Sequence, residues 1–161
     1  MIMPVKECVG AVIYAPDVFE DIFLMDSPKW PGYLVVPGGR LESGESREDA
    51  CHRELREELG IEITDLVYVQ TKTIPAGTLP FHDRTVEFIF HDYFAKAQSR
   101  LFTPNHELGH LSGWYKHGDV LPLPLPEPIT ALLELYWQHV WQTGGHLNQP
   151  FTPMLASQRP G

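Results

Sequence analysis

The chain has 161 residues, of which 43% are hydrophobic and 20% charged, a composition that fits one globular domain and excludes a disordered segment. Its formal net charge is −9 and it contains no run of Lys or Arg, so the protein as a whole should repel nucleic-acid backbones and anionic membranes. We therefore expect neither a nucleic-acid partner nor a membrane.

The compartment is predicted from the first residues and from the cysteines. Lys6 and Glu7 leave no room in the first ten residues for the apolar run of a signal peptide. The chain has two cysteines, Cys8 and Cys51, and such a low number is typical of a reducing compartment. We expect a cytoplasmic protein with one domain across residues 1–143, followed by an irregular, loosely packed tail across 144–161.

The first elements in chain order are predicted strands. The apolar runs CVGAVIY (8–14) and DIFLMD (21–26) are separated by Pro16 and Asp17, which predicts a hairpin. A third strand, YLVVPGG (33–39), stops at a proline and two glycines, residues that interrupt a strand ladder. The loop RLESGES follows it.

A helix is predicted across residues 47–59. Ser46 is a suitable N-cap and Gly60 a suitable C-terminal stop. At about 100° per residue, the side chains of Glu54, Glu57 and Glu58 fall on one face of this helix. Such a face is either a solvated charged surface, which is the usual meaning of a charge run, or a site for cations.

A longer pattern that includes this helix favours the cation site. From Gly39 the chain follows G-x5-E-x7-R-E-U-x-E-E-x-G-U, where U is an aliphatic residue, and nine positions fixed in one register are highly specific. This pattern is the Nudix box, so the chain resembles the Nudix hydrolase family. The matched positions are Gly39, Glu45, Arg53, Glu54, Leu55, Glu57, Glu58, Gly60 and Ile61.

The resemblance implies a fold and an activity. The fold is an α/β/α sandwich with a mixed β-sheet, and the activity is hydrolysis of a pyrophosphate bond in a nucleoside diphosphate derivative by a metal-activated water. In the family, the site is shared between metal ligands and supporting residues. Carried over by position, the ligands are Glu54, Glu57, Glu58 and the carbonyl of Gly38, and the supporting residues are Gly39, Glu45 and Arg53.

Metal dependence also fits the charge of the chain. Mg²⁺ or Mn²⁺ prefers oxygen ligands and bridges to phosphates, so several carboxylates beside free backbone carbonyls form a suitable platform. An acidic protein can bind a polyanionic nucleotide well only when cations neutralise the phosphate oxygens. The general base is expected to be a box glutamate or a glutamate from a later loop.

Beyond the helix, the sequence predicts strands and one more helix, with a long loop at 98–111. They are strands at 66–73, 85–97 and 112–116, an extended connector at 121–128, and a helix at 129–141. In the second of these strands, the alternation of Val86, Phe88, Phe90 and Phe94 predicts one shared apolar face.

The long loop contains HELGH (106–110), which matches the H-E-x-x-H pattern of zinc metalloproteases. Pro104 precedes this motif and Gly109 lies inside it, so the helix that must present both histidines is poorly supported. We therefore favour ordinary loop histidines. Glu107 has two interpretations: a surface glutamate or, as the resemblance implies for late loops, an extra metal ligand or base.

A proline after the box bears on the identity of the substrate. Pro75 lies near a position where a proline accompanies ADP-ribose hydrolases in the family, so an ADP-ribose-like substrate is favoured. A nucleoside triphosphate pyrophosphohydrolase that removes oxidised nucleotides and a nucleotide-sensing module without hydrolysis are the alternatives, and a homodimer is left open. Aromatic residues that could stack on a base, although core positions are commoner for them, are Trp30, Tyr33, Phe81 and Trp114.

Overall fold

The computed structural model describes residues 4–79, 84–103 and 108–153, and the described residues form one mixed sheet and two α-helices. The strands are β1 (Val5–Tyr14), β2 (Asp21–Asp26), β3 (Leu34–Val35), β4 (Gly38–Arg40), β5 (Ile63–Ile74), β6 (Glu87–Ala97) and β7 (Gly113–Lys116). The helices are α1 (Arg47–Leu59) and α2 (Glu127–Thr143), and a short 3₁₀ turn at His117–Asp119, which was not predicted, precedes α2.

The sheet is built around β1 and β6. These two strands pair in parallel along ten residues of each, from Val5 opposite Glu87 to Tyr14 opposite Lys96. The main strand order is β3-β2-β1-β6-β5, with β4 added to β1 and β7 added to β2, and all of these other pairings are antiparallel. The predicted mixed sheet is thus confirmed.

The two helices cover opposite faces of the sheet. Successive side chains of β1 and β6 point to alternate faces, so each strand contributes to both cores. Ala11 and Tyr93 pack in one core with Leu55 of α1, whereas Val12 and Phe94 pack in the other with residues of α2. This is the predicted α/β/α sandwich. No helix among the described residues is long and apolar enough to cross a membrane.

Local signals predicted α1 well and the strand after β2 less well. The helix begins and ends as predicted, with Ser46 Oγ accepting from the Asp49 N–H at 3.0 Å and Gly60 in the left-handed region at φ 65°. The predicted strand at 33–39 is instead divided into β3 and β4. Pro37 lies between them, lacks an N–H for a ladder, and turns its carbonyl to the Ala11 N–H at 3.0 Å.

The prediction of a loosely packed tail is wrong for residues 144–153. This segment lacks helix and strand, yet Leu147 is 5% exposed and belongs to the core beneath α2. Phe151 packs edge to face on Phe94, with 5.6 Å between ring centroids, and His139 Nε2 lies 2.9 Å from the Leu147 carbonyl. Apolar side chains therefore hold an irregular segment in place.

Candidate active site

Two glycines let the β4 backbone meet the acidic face of α1. A Cβ on Gly38 would overlap the backbone of Val9 and Gly10, because these strands pair directly. A Cβ on Gly39 would overlap the carboxylate of Glu54. Gly38 is therefore required for the close approach of the two strands, whereas a side chain at position 39 would displace the Glu54 carboxylate. The helix α1 lies directly against a backbone that carries carbonyl groups.

Arg53 joins the loop before α1 to the helix. Its Nε and Nη2 atoms donate to the two carboxylate oxygens of Glu45 at 2.6 and 3.0 Å, and Nη2 also donates to the Arg40 carbonyl at 2.9 Å. The hydrogen bond from Arg53 lowers the pKa of Glu45. A two-point bond of this kind sets the orientation of both side chains.

The same guanidinium group also contacts two carboxylates that belong to α1. Arg53 Nη1 is 3.0 Å from Glu54 Oε1 and 3.1 Å from Glu57 Oε2. The Glu57 side chain is 59% exposed, whereas the Glu54 side chain is 13% exposed and burial raises its pKa. Glu54 therefore faces the interior of the site and Glu57 its solvent side.

Glu58 is the most deeply buried of the three predicted ligands. Burial, with a contribution from the charge of Glu54, raises the pKa of Glu58 to about 7, although a hydrogen bond from the Gly38 backbone opposes this shift. Its Oε2 atom is buried and has no hydrogen-bond partner in the described part of the chain. A buried carboxylate oxygen without a partner is costly, and a cation would satisfy it.

The donor set fits a hard divalent cation. It consists of the carboxylates of Glu54, Glu57 and Glu58 with the nearby Gly38 carbonyl, all oxygen atoms of the kind that Mg²⁺ and Mn²⁺ prefer. In this structure Glu57 is turned toward Arg53. No three His, Cys, Asp or Glu side chains of the described residues are arranged to hold a metal ion.

A cavity of about 370 Å³ opens beside Glu58, on the face of the sheet that carries α2. The backbone of β4 forms the wall nearest Glu58, and Pro128 and Ile129 at the start of α2 also line the cavity. The rest of the lining is mixed and includes aliphatic and sulfur-containing side chains. It also includes aromatic rings (Trp30, Phe88 and Phe90), cationic groups (Lys6, Lys29, Arg40 and Lys72) and one further carboxylate (Asp92).

The aromatic residues singled out in the sequence have different locations. Trp30 lines the cavity. Trp114 belongs to the core, since its ring packs edge to face on Phe23 and its indole N–H donates to the Arg100 carbonyl at 2.9 Å. The N–H of Tyr33 closes a turn on the Trp30 carbonyl, and Phe81 lies outside the described residues.

The HELGH motif is only partly described. His106 and Glu107 lie outside the described residues. Leu108 and Gly109 have no regular secondary structure, and the Gly109 N–H donates to the Asp26 carbonyl at 2.8 Å. The described part of the motif is therefore not helical, as expected from its glycine, and the role of Glu107 stays a prediction.

Sequence reasoning missed most of the cavity lining. Lys72 and Asp92 lie in predicted strands without an assigned role, and Phe90 is predicted only to share an apolar face with its neighbours. A signal was present, because Asp92 is a charged residue inside the apolar run EFIFHDYFA. The groups that Asp92 meets depend on the strands beside it, because β5 places Gln70 opposite Asp92 and β1 places Gly10 there.

Comparisons with known proteins identify a family and a fold. A sequence profile of the NUDIX domain matches residues 5–136. The uncharacterized Nudix hydrolase YvcI of Bacillus subtilis is 32% identical over 107 residues, which are 66% of this chain and 65% of that protein. The MutT NUDIX hydrolase of Burkholderia pseudomallei, a solved structure, matches with a TM-score of 0.66 at 26% identity, covering 81% of this chain and 96% of that one.

A second group of relatives is longer. The NAD-capped RNA hydrolase NudC of Pseudomonas aeruginosa is 27% identical over 119 residues, which are 73% of this chain and 40% of that protein. The chain thus spans well under half the length of the NudC relatives that it matches.

Proposed function

The chain belongs to the Nudix family, and from that premise we propose that it hydrolyses a pyrophosphate bond in a nucleoside diphosphate derivative. One observation carries the proposal: the buried carboxylate of Glu58 has an oxygen without a hydrogen-bond partner among the described residues, and it lies at the wall of the cavity. Glu54 and the Gly38 backbone lie beside it. An anionic group at this position suits a cation-bridged phosphate better than it suits an apolar ligand.

The residues proposed to hold Mg²⁺ or Mn²⁺ are Glu54, Glu57, Glu58 and the carbonyl of Gly38. When bound, such a cation neutralises phosphate oxygens and lowers the pKa of a coordinated water. The general base is one of the glutamates of α1 or Glu107. Arg53 and Glu45 keep the loop and helix in register, so that the ligands are oriented before substrate arrives.

The cationic residues of the cavity support a phosphate-bearing ligand. Lys29 lies close enough to Glu54 and Glu58 to lower the pKa of each, against the effect of burial. Because Lys29 also lines the cavity, its ammonium group is available to a phosphate of the ligand. Lys6 and Arg40 also line the cavity, although the protein as a whole is acidic.

For the substrate we propose an ADP-ribose-like compound. Pro75 follows β5 directly and its carbonyl accepts from the Thr78 N–H at 3.2 Å, in the segment where the family's ADP-ribose hydrolases carry a proline. An aromatic-lined cavity of this size suits a nucleoside. A nucleoside triphosphate pyrophosphohydrolase acting on oxidised nucleotides is the second candidate within this chemistry.

A non-catalytic nucleotide sensor is the candidate from a different class. The complete set of box carboxylates favours hydrolysis, because a sensor has no need of three ligand glutamates on one face. The name of the NudC relatives raises NAD-capped RNA as a substrate. The net charge of −9 argues against a long RNA, so we propose a small-molecule nucleotide as the partner. The two free thiols support a cytoplasmic location, and a homodimer is a possible assembly.

The test is turnover of a panel of nucleotides with and without Mg²⁺. The panel contains ADP-ribose, nucleoside triphosphates with normal and oxidised purines, dinucleoside polyphosphates and sugar nucleotides. We expect metal-dependent cleavage, highest for ADP-ribose, that falls on the order of 100-fold in Glu57→Gln. The matched control is Glu134→Gln, because Glu134 is an exposed glutamate of α2 and should leave the rate unchanged.

Two further variants refine this test. Glu107→Gln should lower turnover if Glu107 is a ligand or base, and unchanged turnover would remove that assignment. If no compound is cleaved while nucleotides still bind, hydrolysis is the wrong function and the sensor takes its place.

A further inference from the structure

Asp92 is a buried carboxylate inside the cavity that the proposed hydrolysis does not use. It is 3% exposed and lines the cavity from β6. Burying a carboxylate is costly unless it is paired, and here Oδ2 contacts Lys72 Nζ and Gln70 Nε2, each at 3.0 Å. Lys72 also lines the cavity, so the ion pair forms part of its surface.

Strand pairing places this ion pair at the far end of the cavity floor from the proposed cation site. Gly10 pairs with Gly38 on one side and with Asp92 on the other. At about 4.8 Å per strand, Asp92 is therefore roughly 10 Å from Gly38, which suits the distance from a nucleotide phosphate to its base. Gly10 adds no side chain between them, and a Cβ there would lie 3.8 Å from Asp92 Oδ1.

The surroundings of the ion pair suit a flat, polar-edged ring. The rings of Phe88 and Phe90 stack at 5.8 Å with an interplanar angle of 20°, and they occupy the same face of β6 as Asp92. A carboxylate repels phosphate, so this end of the floor is unsuited to the charged part of a nucleotide. It offers one acceptor, Asp92 Oδ1, beside the ammonium donors of Lys72.

We propose that Asp92 and Lys72 read the edge of an adenine base, with Asp92 accepting from the exocyclic amino group and Lys72 donating to a neighbouring ring nitrogen. Adenine presents one amino donor beside a ring-nitrogen acceptor. Asp92 Oδ2 is engaged by Lys72 and Gln70, so Oδ1 is the oxygen that would accept from the amino group. In the same orientation, hypoxanthine would place its O6 carbonyl where adenine has the amino group, and so would set two acceptors against each other. This inference rests on the proposed function for the position of the phosphates.

The test compares binding of AMP and of IMP, by calorimetry in the presence of Mg²⁺. Neither nucleotide contains a pyrophosphate bond, so the result is independent of hydrolysis. We expect the wild-type protein to bind AMP about tenfold or more tightly than IMP. Asp92→Asn should abolish or invert this preference, because its amide N–H can donate to the carbonyl of hypoxanthine.

Two control variants separate base reading from a structural role. Lys72→Gln keeps a donor and should weaken both complexes while the preference for AMP remains. Asp119→Asn alters an exposed aspartate away from the cavity and should change neither affinity. Thermal unfolding establishes that each variant is folded before binding is measured.

The outcomes are distinguishable from those of the turnover panel. Equal affinities of the wild-type protein for AMP and IMP, or no binding of either, would overturn the inference even if the Asp92 variant failed to fold. An equal loss of both affinities in Asp92→Asn would also overturn it, by assigning Asp92 a structural role. A retained preference for AMP without turnover of any panel compound would reject hydrolysis and leave the base site standing.

Discussion

Gly39 decides, at the scale of single residues, whether Glu54 can approach the β4 backbone. A methyl group at this position would overlap the Glu54 carboxylate. We predict that Gly39→Ala displaces the Glu54 carboxylate and lowers turnover about tenfold or more, with little loss of stability, because the carboxylate is the far end of a flexible side chain. Turnover of the best panel substrate and urea unfolding measure the two effects.

The control for this variant is another strand glycine. A Cβ on Gly113 would meet no atom within 4 Å, so Gly113→Ala should leave turnover unchanged. Wild-type turnover in Gly39→Ala would contradict the claim that the position of Glu54 matters to the reaction.

At the scale of secondary-structure elements, the side chain of His139 connects α2 to the segment that follows it. This side chain is fully buried, contacts the Leu147 carbonyl through Nε2, and has an Nδ1 atom without a hydrogen-bond partner in the described residues. Burial lowers the pKa of His139 below its ordinary value of 6.5. The folded state therefore favours the neutral ring, whereas the unfolded chain takes up a proton below about pH 6.5.

The predicted consequence is a loss of stability on the acid side of pH 6.5. The stabilising contribution is complete above the unfolded-state pKa and decreases as the pH falls toward the folded-state pKa, by at most about 1.4 kcal/mol per pH unit for one group. His139→Gln should flatten this slope below about pH 6.5. Urea unfolding at several pH values measures it.

His117 supplies the comparison for this prediction. Burial lowers its pKa as well, and its ring stacks on Trp137 with 4.4 Å between centroids. His117→Gln should flatten the slope separately, and the double variant should flatten it further. If His139→Gln kept the wild-type dependence of the free energy of unfolding on pH, the burial of a neutral His139 could not be its cause.

The elements also show how far the sequence alone could predict the structure. The bounds of α1 were predicted because Ser46 caps its first turn and Gly60 its last, and both contacts are local in sequence. The division between β3 and β4, the packing of Leu147, and the meeting of Asp92 with Lys72 all depend on contacts between distant segments. Local patterns contain no information about which distant segment is the partner.

Net charge makes a prediction at the scale of the whole molecule. With a formal charge of −9, a long RNA attached to a substrate should add repulsion rather than affinity. We predict that kcat/KM for free NAD is at least as high as for NAD-capped RNA, with little dependence on salt between about 50 and 200 mM. A higher value for the RNA that falls steeply with salt would show an RNA-binding surface instead.

The central claim is that the acidic face of α1 performs metal-dependent hydrolysis, and Glu58 tests it most directly. The measurement is the rate of product release from the best panel substrate as Mg²⁺ is titrated, in the wild-type protein, Glu58→Gln and the control Glu134→Gln. The account predicts a rate that requires Mg²⁺, falls on the order of 100-fold in Glu58→Gln and is unchanged in the control. A wild-type rate in Glu58→Gln, or the same rate in a metal chelator, would contradict it.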